Sequence, residues 1–144
     1  MKESYDKLKL ENQLCFPLYA CSREIVKRYK PFLDSLNLTY TQYIVMLVMW
    51  EEKTINVKSL GEKLFLDSGT LTPLLKKLEN KGYISRNRNP EDERNLIISI
   101  EPKGIKLKEK AKSIPEKIGK CVNLTPEESM LLYKILYKIL NTFE

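Results

Sequence analysis

The feature that most constrains the fold is a pair of short apolar repeats between residues 57 and 82. The first places apolar side chains at Val57, Leu60 and Leu64, and the second places leucines at positions 71, 74, 75 and 78. Spacings of three and four residues put such side chains on one face of an α-helix. The segment Phe65 to Asp67 between them forms a turn. The sequence therefore predicts two short amphipathic helices joined by a tight turn.

The start of the second helix depends on how Pro73 is accommodated. Asp67 or Ser68 is a suitable N-cap, and Thr72 is the alternative, with Pro73 then at the first helical position. Gly82 is a good C-terminal stop. The helix therefore begins near residue 68 or near residue 73 and ends before residue 82.

A β-hairpin is predicted directly after this helix. Residues 83–86 and 96–100 have the composition of strands, and they flank a polar loop, residues 87–95, that contains Pro90. The chain therefore has the order of a winged helix-turn-helix, with the hairpin as the wing.

Two helices are predicted before this region. Apolar residues recur every three to four positions from Leu14, and Pro31 and Asn37 indicate where that helix ends. The next helix has Thr39 or Thr41 as its N-cap and is apolar almost all round, so we expect it to be buried.

Two more helices follow the hairpin, a lysine-rich one over about residues 103–120 and a last one with Thr125 and Glu128 as a capping box. The last helix is apolar on nearly every face, and a chain of 144 residues offers no obvious place to bury it. We therefore expect a helical dimer interface. The predicted fold is mainly α with a small β-hairpin wing. It is a single domain, 1–144, with a winged helix-turn-helix over 39–100 and dimerisation helices over 1–36 and 103–144.

Residue composition excludes several classes of function. The chain has no histidine, which most hydrolytic nucleophiles and most zinc sites require. Cys15, Cys21 and Cys121 are too widely spaced for a thiolate metal site. We therefore expect no metal, no cofactor and no enzymatic activity. The formal charge of +6 favours a polyanionic partner, although a surplus this small is common on other proteins too.

The expected location is the cytoplasm. Three cysteines, an odd number, do not form a secreted disulfide framework and are typical of a reducing compartment. The sequence has no run of about 18 apolar residues and no signal-peptide pattern, so we expect no membrane partner.

Two sequence motifs carry a family resemblance. The run Leu66–Glu79, LDSGTLTPLLKKLE, followed by DERN at residues 92–95, resembles the MarR family of regulators. QLCF at residues 13–16 and DSGTLTP at residues 67–73 resemble its organic-hydroperoxide regulator subgroup, OhrR, and related staphylococcal-type thiol sensors. The similarity covers essentially the whole chain. It implies a homodimer on a pseudo-palindromic double-stranded DNA operator, with recognition helices in successive major grooves and the wing in the minor groove. It also implies relief of repression when one N-terminal cysteine is oxidised by an organic hydroperoxide.

The candidate DNA-binding residues lie on the second helix and the wing. Opposite the leucine face, the helix carries hydroxyl groups that can bind bases or phosphates and lysines that can bind phosphates: Ser68, Thr70, Thr72, Lys76 and Lys77. The wing carries Arg86, Arg88 and Arg94, and Asp92 can orient the guanidinium of Arg94. Each set has an alternative that involves no DNA. The helix residues could form an ordinary solvent-exposed face, and Asp92 and Arg94 could form an ordinary solvent-exposed ion pair in a loop.

Cys15 is the candidate redox sensor. A lone cysteine on an apolar helix is more often a small core residue, but a tyrosine hydroxyl can donate to a thiolate and stabilise it. Tyr19 lies one turn from Cys15. Tyr29 lies about 21 Å along the same helix and reaches Cys15 only from a partner subunit. The resemblance implies that position for Tyr29 and Tyr40.

The other cysteines and Pro17 leave alternatives open. Two-cysteine members of the subgroup carry, at the position that Cys121 occupies before the last helix, a resolving thiol, which forms a disulfide with the oxidised sensor of the partner chain. The alternative is that Cys121 is an inert loop residue. Core packing is the default role of Cys21, and Pro17 is expected to kink the helix beside Cys15.

Three functional alternatives remain for the whole chain. They are a repressor controlled by a small aromatic ligand, a thiol peroxidase, and an architectural DNA-binding protein without a switch.

Overall fold

The computed structural model describes residues 5–143, without the side chains of Asn89, Glu93 and Arg94. This part of the chain forms seven α-helices and a three-stranded antiparallel sheet. The helices are α1 (Cys15–Asp34), α2 (Tyr40–Glu52), α3 (Val57–Leu64), α4 (Ser68–Asn80), α5 (Pro102–Ala111), α6 (Ile114–Cys121) and α7 (Pro126–Asn141). The strands are β1 (Thr54–Asn56), β2 (Ile84–Asn89) and β3 (Asp92–Ile100), in the order β1-β3-β2.

The chain divides into two compact units, Met1–Ile114 and Pro115–Glu144. The first contains the helix-turn-helix, the sheet and the helices around them. The second contains α7 and all but the first residue of α6. The predicted winged helix-turn-helix fold is confirmed, and the assignment of flanking segments to dimerisation stays a prediction.

The core of the first unit is built from the predicted apolar faces. The leucine face of α4 is buried, and it packs with apolar side chains from α1, α2, α3 and the sheet. The largest fully buried side chains among the described residues are Leu33, Val45, Met46, Met49, Leu60, Leu71, Leu75, Leu78, Ile84 and Ile98. As predicted, α2 is mostly buried, and its Trp50 donates a hydrogen bond to the Gly104 carbonyl at 2.9 Å.

The helix starts follow the capping residues. Thr39 is the N-cap of α2, where it forms a capping box with Gln42, so the alternative Thr41 is wrong. Asp67 is the N-cap of α4 and accepts a hydrogen bond from the Thr70 amide at 2.7 Å, so the start at Thr72 is also wrong. Thr125 and Glu128 form the predicted capping box of α7.

Prolines lie inside both α1 and α4. Pro31 lies inside α1, which continues to Asp34, and Asn37 follows in a left-handed conformation (φ 54°). Pro17 lies in the first turn of α1, where a backbone amide has no helical partner to lose, and the helix is continuous past it. Pro73 likewise lies inside α4. The predicted end of α1 near Pro31 and Asn37 is therefore confirmed, and the kink expected at Pro17 stays a prediction.

The sheet is larger than the sequence predicted. Strands β2 and β3 extend through most of the expected loop and are joined by the two-residue turn of Pro90 and Glu91. Strand β1 was not predicted, because three residues are too few to show an alternating pattern, and it pairs with β3 in the register Ile55 to Ile98. The outer parts of β2 and β3 are polar, but they still form strands because the two strands continue to pair with each other beyond the core.

The predicted lysine-rich helix is two helices. Helix α5 ends at Ala111 and α6 begins at Ile114. Pro115 suits the start of α6, because proline in the first turn of a helix removes no helical hydrogen bond. Cys121 is the last residue of α6, so its placement in a loop is corrected.

Candidate DNA-binding surface and cysteine site

Helix α4 presents its polar face to solvent. Ser68, Thr70, Thr72, Lys76 and Lys77 are all exposed, as the positions opposite the leucine face require. Hydrogen bonds from Thr70, backbone and side chain, hold the pKa of the Asp67 carboxyl below its ordinary value. This N-cap therefore stays ionised and fixes the start of α4, where hydroxyl-bearing side chains face outward.

The crossing of α3 and α4 depends on Gly61. A Cβ atom at this buried position would lie 2.8 Å from the Leu66 carbonyl oxygen, closer than a carbon side chain tolerates. The amide of Leu66 donates to the Gly61 carbonyl at 3.0 Å. The turn between the two helices therefore requires a residue without a side chain, a signal that sequence analysis missed.

Arg86 connects the wing to α4. Its Nη2 atom lies 3.2 Å from Glu79 Oε1, and its backbone amide donates to Glu79 Oε2 at 3.1 Å. These contacts with Arg86 lower the pKa of the Glu79 carboxyl. The Arg86 side chain is only 20% exposed. Its position at the base of the wing favours a structural role, and a DNA contact by Arg86 stays a prediction.

Arg88 lies farther out on the same face of β2 as Arg86, paired with Leu96 of β3, and it is exposed. Asp92 is exposed at the first position of β3, next to the turn. The side chain of Arg94 lies outside the described part of the chain, so the orienting contact from Asp92 stays a prediction. The wing thus presents Arg88 and the β-turn at its tip, beyond the Glu79–Arg86 pair.

Cys15 is the first residue of α1 and is exposed. Apolar side chains surround it in sequence: Leu14 is 86% exposed and Phe16 is 44% exposed. Tyr19, one turn on, is also exposed, and the guanidinium of Arg23 lies 5.5 Å from the centre of its ring. The expectation that a cysteine here is a small core residue does not hold within one chain.

Tyr29 and Tyr40 lie together on α1 and α2. Their ring centres are 4.9 Å apart, and Tyr43 completes a tyrosine cluster at 5.7 Å from Tyr29 and 6.3 Å from Tyr40. Burial, followed by the neighbouring phenols, raises the pKa of Tyr29 to about 12. These hydroxyls therefore keep their protons at neutral pH and can donate hydrogen bonds. Tyr43 was missed, although its spacing from Tyr40 is one helical turn.

Cys21 and Cys121 are both exposed. Core packing, the default for Cys21, therefore does not apply within one chain. The thiol of Cys121 donates to the Lys117 carbonyl at 3.5 Å, an ordinary contact inside α6.

Within residues 5–143, no helix combines the length and the apolar character that a membrane crossing needs.

A helix-turn-helix with an exposed polar second helix, followed by a hairpin tied to it, defines a winged helix-turn-helix regulator of transcription that binds DNA. A model of the transcriptional regulator SarA/Rot family matches residues 27–111, more than half of the chain. The chain belongs to this family of transcriptional regulators. Its members are DNA-binding proteins, so the prediction that the chain is not an enzyme is confirmed.

Individual relatives match nearly the whole chain. The organic hydroperoxide resistance transcriptional regulator of Bacillus subtilis is 51% identical over 142 residues, 99% of this chain and 97% of the relative. The regulator SarZ of Staphylococcus haemolyticus is 45% identical over 100% of this chain and 96% of its own length. The resemblance to organic-hydroperoxide regulators of the MarR type is confirmed.

The solved structures that are similar to this chain include AbfR of Staphylococcus epidermidis. Reduced AbfR bound to DNA is 34% identical with a TM-score of 0.79, and overoxidised AbfR bound to DNA is 36% identical with a TM-score of 0.78, each covering 100% of both chains. A disulfide form of AbfR is 35% identical with a TM-score of 0.66 and covers 96% of this chain and 98% of AbfR.

Proposed function

We propose that this protein is a homodimeric, redox-sensing repressor that leaves its DNA operator when Cys15 is oxidised by an organic hydroperoxide. The exposure of Cys15 at the first residue of α1 is the observation that carries the proposal. A peroxide can reach a thiol there, and a thiolate lies at the positive end of the helix dipole.

The homodimer brings a tyrosine cluster to this cysteine. Tyr29 lies too far along α1 to reach Cys15 of its own chain, so the donors come from the second subunit. The exposed apolar side chains of Leu14, Phe16 and Leu18 on α1 supply surface for that contact. Helix α7 supplies more, through Met130, Leu131, Leu132, Tyr133, Ile135, Tyr137 and Ile139. Burying this area is the main stabilising contribution to such a dimer.

The oxidation chemistry needs only the thiolate and the hydroperoxide. The sulfur of Cys15 attacks a peroxide oxygen, an S–O bond forms, the O–O bond breaks, and the alkoxide leaves as an alcohol after protonation. Cys15 becomes a sulfenic acid and loses its ability to accept the phenol hydrogen bonds as a thiolate. Packed interfaces change between discrete arrangements, and a shift in the spacing of the two α4 helices removes their match to one DNA turn, about 34 Å.

A disulfide with Cys121 of the second subunit completes the release. The Cys121 thiolate attacks the sulfenic sulfur, an S–S bond forms as the S–O bond breaks, and hydroxide leaves and takes a proton from solvent to become water. Two structures of AbfR fit a disulfide as the released form. Overoxidised AbfR is bound to DNA, so in that protein overoxidation does not by itself exclude DNA. A disulfide form of the same protein is also known.

One observation favours the alternative of a small aromatic ligand. A cavity of about 320 Å³ lies between α1 and the start of α2, next to Tyr40, with Lys27 and Lys30 at its edge. That volume is at the lower limit of ligand pockets. A ligand-controlled repressor would release DNA with Cys15 replaced, which separates the two functions.

Cysteine variants test the proposal. Cys15→Ser should bind operator DNA like the parent and keep it after treatment with cumene hydroperoxide, because serine preserves size and forms no sulfenic acid. Cys21→Ser is the matched control and should respond like the parent. Release of DNA by oxidised Cys15→Ser would exclude Cys15 as the sensor.

Non-reducing gels test the disulfide step. Peroxide without added thiol should give a linked dimer in the parent and none in Cys121→Ser. A linked dimer in both would exclude Cys121 as the partner of Cys15, and a linked dimer in neither would exclude a disulfide mechanism.

A further inference from the structure

The segment that follows the recognition helix α4 is tied to the corner between α1 and α2, here defined as Leu36–Gln42. Helix α1 ends in a left-handed residue, Asn37, and helix ends leave carbonyl groups without helical partners. The Leu36 carbonyl accepts a buried hydrogen bond from the Tyr83 hydroxyl at 3.1 Å. The Asn37 carbonyl accepts one from Lys81 Nζ at 2.7 Å. Two consecutive carbonyls at the end of α1 are therefore satisfied by the segment after α4.

Lys81 also joins the start of α2. Its Nζ atom donates to Gln42 Oε1 at 2.9 Å, and the same oxygen accepts the Thr39 amide of the capping box at 3.1 Å. Gln42 is a polar residue buried in the core of the first unit, with 2% exposure. Lys81 is itself the C-cap of α4. A single ammonium group thus connects the end of α1, the start of α2 and the end of α4.

Lys81 is poorly placed to contact DNA directly. Its ammonium is committed to two acceptors on the protein, and burial, followed by the charge of Lys77, lowers its pKa. Lys103 reinforces the connection by donating to the Lys81 carbonyl at 2.9 Å and by lying 5.4 Å from the centre of the Tyr83 ring. The contacts of Lys81 therefore hold helices in place.

The corner also carries the tyrosine cluster. Tyr40 and Tyr43 flank Gln42 on α2, and Tyr29 packs on both from α1. A displacement of these rings moves the residues that accept hydrogen bonds from Lys81. The cluster and α4 are therefore linked by a short, continuous set of contacts.

We propose that Lys81 is a positioning residue for DNA binding: it sets the orientation of α4 against the α1–α2 corner and transmits displacement of the tyrosine cluster to α4. The transmission, but not the positioning, rests on the redox function proposed above.

Operator binding by the reduced dimer tests the positioning role. Lys81→Met keeps the aliphatic part of the side chain and removes the hydrogen-bond donors. It should weaken operator binding by roughly tenfold, because the free energy of one hydrogen bond to a charged group corresponds to about a tenfold change in an equilibrium constant. The dependence of log affinity on log salt should keep the parent's slope, because no phosphate contact is lost. Lys81→Arg should restore affinity to within about threefold of the parent.

Lys30→Met is the matched control. It also removes one positive charge, but Lys30 pairs with Asp34 on its own helix, so affinity should stay near that of the parent. A salt slope reduced by about one in Lys81→Met would show a direct phosphate contact and overturn the positioning role. Unchanged affinity would overturn it too. If Lys81→Met does not fold by circular dichroism, Lys81→Gln, whose shorter and neutral side chain cannot reach both acceptors, is held to the same outcomes.

The response to cumene hydroperoxide tests the transmission role. The fold loss of affinity on oxidation should be smaller in Lys81→Met than in the parent, and an equal loss would overturn transmission. A parent that keeps its DNA after oxidation would refute the redox function and the transmission with it, whereas the reduced-state comparison would still decide the positioning role.

Discussion

At the residue scale, the stability of the helix-turn-helix is most sensitive to substitution where a glycine lies too close to a neighbouring backbone for a side chain to fit. Gly61→Ala places a methyl group 2.8 Å from the backbone oxygen of Leu66, so the α3–α4 turn must shift. We predict a loss of about 1–3 kcal/mol in the free energy of unfolding, measured by urea denaturation at fixed protein concentration.

Gly119→Ala is the control for this substitution. Gly119 lies in α6, and no atom lies within 4 Å of an added Cβ, so alanine should stabilise by about 0.5–1 kcal/mol. Equal effects of the two alanines would contradict the close approach at Gly61.

The tyrosine cluster gives a prediction about pH. The pKa of Tyr29 is raised by burial to about 12 from an ordinary value of 10.0. Below pH 10 the phenol is protonated in both the folded and the unfolded protein, so stability is unaffected. Between pH 10 and 12 the unfolded chain releases its proton first, so stability falls with rising pH.

Spectrophotometric titration of tyrosinate checks this prediction. Tyr29→Phe should remove a component that titrates near pH 12, whereas Tyr5→Phe, at an exposed position, should leave that component in place. A late component of unchanged size in Tyr29→Phe would contradict the burial of this phenol.

Residues whose role depends on local sequence were predictable, and those that act across the fold were not. Thr39, Asp67 and Thr125 were found because capping requires a side-chain oxygen at a fixed offset from the helix start. Gln42 and Lys81 are 39 residues apart, and only the packing of α1, α2 and α4 brings them together.

At the scale of elements, the start of α4 determines where the hydroxyl groups predicted to bind DNA lie. Asp67→Ala removes the hydrogen bond to the Thr70 amide and should cost about 1 kcal/mol of folding stability. Ser68→Ala changes the next, exposed residue and should cost much less. Equal costs in chemical denaturation would contradict Asp67 as the N-cap.

The wing is the second element predicted to bind DNA. If it enters the minor groove, Arg94→Ala should weaken operator binding by about 1–3 kcal/mol. Electrophoretic mobility shifts at physiological salt measure this loss, and unchanged affinity there would refute the groove contact.

The lengths of elements were harder to predict than their order. The order of helices and the hairpin follows from apolar periodicity, which reports burial. The outer halves of β2 and β3 bury few apolar side chains, so their sequence shows no alternating apolar pattern. Asn87 and Arg88 were therefore predicted to be loop residues. The break between α5 and α6 was missed because the apolar spacing of the two short helices is nearly continuous across residues 112 and 113.

At the scale of the whole molecule, the sequence predicted the apolar faces of α1 and α7 but could not predict which surface covers them. The sequence predicts that Met130 and Tyr133 need a covering surface, and both are exposed in a single chain. Which surface covers them is a property of the assembly. The same holds for the proposed contact between Cys15 and the tyrosine cluster, which requires two chains.

The affinity of the parent protein for operator DNA, before and after stoichiometric cumene hydroperoxide, tests the central claim most directly. The account predicts tight binding by the reduced dimer, a loss of at least about tenfold on oxidation, and recovery when a dithiol reductant is added. Equal affinity before and after oxidation, with mass spectrometry showing Cys15 oxidised, would contradict it.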